Sequence, residues 1–181
     1  MSDATFTTVS WPKKGYDRDE VDEFFDHARA AYETGVATIN STDISSVSFD
    51  LVRKGYLTSE VDSALDRLEA IFVARARQEF IAANGQDAWN AALAARAQTL
   101  YPRLARPSGK RFSPATGQGY AQGAVDKLCD RIVAYFDTGA PITSADIRAA
   151  QFPPARGANA YSEASVDAFL ARAVEVLLGV E

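Results

Sequence analysis

Gly15-Tyr16-Asp17-Arg18-Asp19-Glu20-Val21-Asp22-Glu23-Phe24-Phe25 is a stretch that recurs along the chain. Gly55-Tyr56 leads to Val61-Asp62 and Leu65, and Gly119-Tyr120 leads to Val125-Asp126 and Leu128. Ala160-Tyr161 leads to Val166-Asp167, Phe169 and Leu170. In each copy Val stands five residues after Tyr, and Asp one further on. Internal periodicity of this kind decides an architecture before any single residue does.

Helix-start chemistry explains the first copy. Asp17 and Glu20 have the spacing of a capping box, in which Asp accepts from a free amide of the first turn and Glu reaches back. With Asp17 as N-cap, Tyr16 and Val21 fall at the two positions of a hydrophobic staple. The other copies keep the staple better than the box: Leu57, Ala121 and Ser162 replace Asp17, and only Ser162 among them is a capping residue. The repeated element is therefore the Tyr–Val contact and the Asp after it.

Apolar residues then continue at helical spacing, as Val21, Phe24, Phe25, Ala28 and Tyr32 and as Val125, Leu128, Cys129, Ile132 and Phe136. Both helices stop alike, at Tyr32-Glu33-Thr34-Gly35 and Phe136-Asp137-Thr138-Gly139. Each Gly stands where a left-handed residue closes a helix. Beyond them, Thr42-Asp43-Ile44 with Phe49 parallels Ala145-Asp146-Ile147 with Phe152, which predicts a short capped helical turn in each half. Tyr16 and Tyr56 are 40 residues apart, and Tyr120 and Tyr161 are 41 apart. The spacing reads as a tandem duplication of a two-repeat unit. A longer helix through Leu65, Leu68, Phe72 and Phe80 ends at Asn84-Gly85, and a further one runs from Asp87 through Trp89. Pro102, Pro107, Ser108-Gly109 and Pro114 then mark a linker with Arg103, Arg106, Lys110 and Arg111, expected as an exposed basic cluster. Strand signals are scarce, so the expected class is all-α.

With 181 residues, 47% of them hydrophobic and 24% charged, the chain has the composition of a globular protein with a real core. A net charge of −5 argues against nucleic acid as a partner, since phosphate binding needs a basic face. The single cysteine, Cys129, aligns with core positions of the other repeats and forms no internal disulfide. No apolar run is long enough to span a bilayer, and Met1–Thr5 lacks the pattern of a signal peptide, so a cytoplasmic location is expected.

Thr42-Asp43-Ile44…Phe49…Lys54-Gly55-Tyr56…Glu60-Val61-Asp62…Leu65 resembles the N-terminal module of DivIVA-type bacterial cell-division and polar-growth proteins. Lys14-Gly15-Tyr16-Asp17…Glu20-Val21-Asp22…Phe24-Phe25 matches the second part of that module more closely. Several short copies in one Ala- and Arg-rich chain are similar to actinobacterial DivIVA-repeat proteins. The resemblance implies a helical repeat protein: a first pair of modules over 1–84, a connecting helix and basic linker over 85–111, and a second pair over 112–181. It further implies a non-enzymatic interaction or adaptor protein of cell division or polar growth, with a protein partner. Each half would be an internal pseudo-dimer, in a monomer or small homo-oligomer. Family members touch the inner face of the cell membrane through the loop before Gly-Tyr. Here Lys13-Lys14 and Arg53-Lys54 fill that loop, with Trp11 in place of its hydrophobic residue. Peripheral contact with anionic lipid is thus the alternative function.

No nucleophile–base arrangement, phosphate-cradling loop or zinc ligand set is legible, so no catalytic, cofactor or metal residue is assigned. The four repeated carboxylates, Asp22, Asp62, Asp126 and Asp167, read either as acid/base or cation ligands or as helix-start and loop-pairing groups. Their equivalence over four repeats favours architecture. The structural signature is then Tyr16, Val21 and Asp22; Tyr56, Val61 and Asp62; Tyr120, Val125 and Asp126; Tyr161, Val166 and Asp167.

Overall fold

The computed structural model describes residues 6–36 and 38–181, which are mostly helical with two small antiparallel sheets. The order is β1 (Lys14–Tyr16), α1 (Arg18–Thr34), α2 (Ser41–Ser46), β2 (Leu51–Arg53), α3 (Thr58–Asn84), α4 (Gln86–Gln98) and α5 (Tyr101–Leu104). There follow β3 (Gln118–Ala121), α6 (Gln122–Thr138), α7 (Ser144–Arg148), β4 (Pro154–Arg156), β5 (Ala160–Tyr161) and α8 (Glu163–Leu178). Two compact units divide at Gln78/Glu79, within α3. Residues 85–111, expected as a connector, pack inside the second unit, where α4 lies against α8 and α5 against α6.

The all-α expectation needs correction at the signature tyrosines: Tyr16, Tyr120 and Tyr161 lie in strands, and Tyr56 makes isolated bridges to Thr8 and Tyr16. β1 pairs with β2, Lys14 opposite Arg53 and Tyr16 opposite Leu51. β3 lies between β4 and β5, with Gln118 opposite Arg156 and Tyr120 opposite Tyr161. Strands of two to four residues are too short to show alternation. They form because the backbones approach so closely: a Cβ on Gly15 or on Gly119 would stand 2.1 Å from the carbonyl oxygen of Tyr56 or Tyr161 respectively.

The helix boundaries follow their sequence signals. Asp17 caps α1 by accepting from the amides of Asp19 and Glu20. Gly35 and Gly139 close α1 and α6 at φ 73° and 74°, in the left-handed region. The short turns α2 and α7 carry full capping boxes, Asn40 with Asp43 and Thr143 with Asp146, and bury Ile44 and Ile147. Ser162 differs from expectation: it stands at the N-cap of α8 but makes no capping bond, its carbonyl accepting from Ser165 Oγ instead.

In the first unit Ala28 and Ala31 of α1 pack with Ile39, Ile44 and the α3 residues Leu65, Leu68 and Phe72. A second cluster gathers Val21, Tyr56 and Val61 with Phe6, Tyr16, Phe25 and Phe49. The second unit buries Val125, Leu128, Cys129 and Ile132 of α6 and both Val166 and Phe169 of α8. All four signature valines are fully buried. Trp89 is anchored there as well, its indole N–H donating to the Gly179 carbonyl at 3.2 Å.

Candidate functional site

The four signature tyrosines and four signature aspartates meet crosswise. Tyr56 of the second repeat donates its hydroxyl proton to Asp22 of the first at 3.0 Å, and Tyr16 of the first faces the carboxylate of Asp62 of the second. In the other unit Tyr161 donates to Asp126 at 3.1 Å, and Tyr120 faces the carboxylate of Asp167. The backbones cross too: Tyr16 N–H donates to the Tyr56 carbonyl at 2.9 Å, and Tyr56 N–H returns a bond to Tyr16 at 2.8 Å.

Four phenylalanines complete the exchange. Phe49 packs edge-on against Tyr16 and Phe6 against Tyr56, both at 5.4 Å between ring centres. Phe152 meets Tyr120 at 5.1 Å and Phe112 meets Tyr161 at 5.2 Å. Sequence reasoning found Phe49 and Phe152 and missed Phe6 and Phe112 as their equivalents. The four stand 10, 7, 8 and 9 residues before the Tyr of their own repeats, for Phe6, Phe49, Phe112 and Phe152. A fixed-spacing comparison therefore does not align them; a Phe within ten residues of Gly-Tyr or Ala-Tyr is the signal that would have found them.

The capping-box expectation for Glu20 is corrected by the same geometry. Its carboxylate accepts from the amide of Asp50 at 2.8 Å, 30 residues away, not from the start of its own helix. Glu60 does the equivalent with the amide of Thr7 at 2.8 Å. Each Glu thus ties down the residue after the Phe that covers the Tyr of that Glu's own repeat. Leu57 N–H to the Thr7 carbonyl and Asp17 N–H to the Asp50 carbonyl fix those segments further, at 2.7 and 2.8 Å.

The carboxylates differ in surroundings. Asp126 is buried, and besides Tyr161 it accepts from Ser108 Oγ and from Gly109 N–H, each at 2.7 Å. Asp22 is half-buried, while Asp62 and Asp167 are exposed. Burial first, and the facing carboxylates as a further cause, raise the hydroxyls of Tyr16, Tyr56, Tyr120 and Tyr161 above the ordinary 10.0. Cys129, buried as expected, has its thiol pushed up to about 11 by desolvation, which leaves it protonated and inert at neutral pH.

The basic linker also needs correction, because Arg111 is buried and not a solvated charge. Its guanidinium donates to the Asp126 carbonyl at 2.8 Å and to the Asp130 carboxylate at 2.6 Å. Its own amide donates to the Tyr161 hydroxyl, and Arg103 stacks over Phe112, 4.9 Å from the ring centre. A buried guanidinium is tolerated only with such a set of acceptors. The linker is therefore a fastening of the second unit.

The proposed contact residues gather at one end of the β1–β2 ribbon. Lys14 stands opposite Arg53, and Lys13 and Lys54 flank them, all exposed. Trp11 is 80% exposed in a turn closed by Lys13 N–H to the Ser10 carbonyl at 3.0 Å. Val9 N–H, bonded to the Gly55 carbonyl at 2.9 Å, tethers that turn. No family model, curated protein or solved structure matches this chain. Among the described residues, no three His, Cys, Asp or Glu side chains are grouped to hold a metal ion, and no helix is long and apolar enough to cross a membrane. His27 lies on the exterior of α1, its Nε2 3.1 Å from Thr38 Oγ1.

Proposed function

We propose that this chain is a non-enzymatic interaction protein, an adaptor of bacterial cell division or polar growth, built from two tandem pairs of DivIVA-like helical repeats. The crossed Tyr–Asp pairs carry the reading. They give all four repeated carboxylates an architectural task, and they let each pair of repeats complete its own core within one chain. The outer faces, including the Trp11 turn, are then free for a protein partner. The cellular process rests on the motif resemblance. A fluorescent fusion expressed in the native cell is expected to concentrate at septa or growing poles. A uniform cytoplasmic signal would count against the process assignment.

The exposed Trp11 beside Lys13, Lys14, Arg53 and Lys54 favours a second reading, peripheral binding to an anionic membrane surface. Each basic residue near such a surface contributes about 1 kcal/mol, and an indole suits the interfacial region. Co-sedimentation with vesicles should rise with anionic lipid content and fall with salt and with Trp11→Ala. Binding indifferent to lipid charge would sink this reading.

A further inference from the structure

The first unit carries two exposed features of opposite chemistry, and each suits the other. One is the cationic Trp11 turn, where a large apolar ring stands in solvent among Lys13, Lys14, Arg53 and Lys54. The other is a cleft of about 460 Å³ beside α1, lined by Glu20, Glu23, Phe24, His27, Phe49 and Asp50. Its two phenylalanines meet edge to face at 5.8 Å and are only partly covered, and the three carboxylates around them are exposed. The cleft is mostly polar, and its pair of phenylalanines among carboxylates suits an aromatic anchor carried among the opposite charges.

The turn does not fill its own molecule's cleft. The β1–β2 ribbon separates them, with Lys14 and Arg53 at one end and Tyr16 and Leu51, next to Asp50, at the other. The turn is held by its Ser10–Lys13 and Val9–Gly55 bonds, which keep Trp11 outward. We propose that the cleft of one molecule receives the Trp11 turn of a second copy of this chain, the indole against Phe24 and Phe49 and the cations facing Glu23 and Asp50. Turn and cleft are separate surfaces, so the contact either closes reciprocally into a two-fold dimer or continues from copy to copy. The self-association goes beyond the adaptor reading and does not rest on it.

Sedimentation velocity on the full chain tests the proposal. At low salt the mass is expected to rise with protein concentration, and to return to that of one chain in about 1 M salt, where the Debye length falls to about 3 Å. Trp11→Ala disables the turn and Glu23→Lys the cleft; Glu23 is exposed, so its replacement leaves the fold intact, as circular dichroism will check. Each variant alone should stay a single chain. Mixed in equal amounts, they should associate again, because Glu23→Lys still presents an intact turn and Trp11→Ala an intact cleft. A wild-type chain that stays single at every concentration overturns the proposal. So does association that survives in both variants, a mixture that fails to associate, or a Trp11 that serves anionic vesicles with no self-association.

Discussion

Asp126 and Asp167 hold the same place in their repeats and meet different surroundings. Asp126 is buried among Tyr161, Ser108, Gly109 and Arg111, whereas Asp167 is exposed beside Tyr120. Removing the Asp126 carboxylate leaves the Tyr161 hydroxyl, Ser108 Oγ and Gly109 N–H without their acceptor and takes one of two carboxylates from the buried Arg111, so Asp126→Ala is expected to lose about 3–5 kcal/mol. Asp167→Ala, with solvent at hand, should lose only about 0.5–1.5 kcal/mol. Denaturant midpoints at constant slope check the pair, and equal losses would show that burial is not what separates them. A second expectation concerns alkali. Each signature tyrosine is raised above 10.0 in the folded chain, so the unfolded chain gives up those protons first. Their contribution to stability is full below pH 10 and is lost as pH climbs through the raised values. Spectrophotometric titration should show tyrosinate appearing late and together with loss of helix. Tyrosines that ionise at their ordinary value, with the fold retained, would contradict it.

Elements show where the sequence could be read and where it could not. Helix ends were legible because caps are local: Asp17, Asn84-Gly85, Gly35 and Gly139 sit within a few residues of the groups they close. The crossing of the repeats was not, since Glu20 and Asp50, or Tyr161 and Arg111, are distant in sequence and nothing local links them. Arg111 looked like a surface charge for the same reason; its carboxylate partners, Asp126 and Asp130, come from α6, beyond the linker. The strands escaped notice because their signal is one small residue before each Tyr. That residue can be tested directly. Gly119→Ala places a methyl 2.1 Å from the Tyr161 oxygen, a backbone atom that cannot turn aside. The expected cost is about 1–3 kcal/mol. Gly123→Ala, in α6 with open space around it, should instead gain about 0.5–1 kcal/mol. Thermal shifts of opposite sign for the two variants are the expected outcome, and a like effect from both would mean that the strands do not approach so closely.

At the scale of the whole molecule, each of the two units has its own buried valines and its own set of crossed tyrosines. Calorimetry is expected to resolve two unfolding transitions, of which Val21→Ala lowers one and Val125→Ala the other. Each truncation of a fully buried side chain should cost about 2–4 kcal/mol. A single transition moved equally by both variants would show one cooperative body. The recurrence of Tyr, Val and Asp at fixed intervals was legible from spacing alone. Which tyrosine serves which aspartate was not, because within-repeat staples and between-repeat exchange leave the same residues in the same order.

The central claim, that each tyrosine serves the aspartate of the other repeat in its unit, is tested most directly by a double-mutant cycle on Asp22. Tyr56→Phe combined with Asp22→Ala should give a coupling of about 0.5–3 kcal/mol, the range for residues in direct contact. Tyr16→Phe with Asp22→Ala, two residues of the same repeat, should add within about 0.5 kcal/mol. Coupling between Tyr16 and Asp22, with none between Tyr56 and Asp22, would contradict the crossed arrangement.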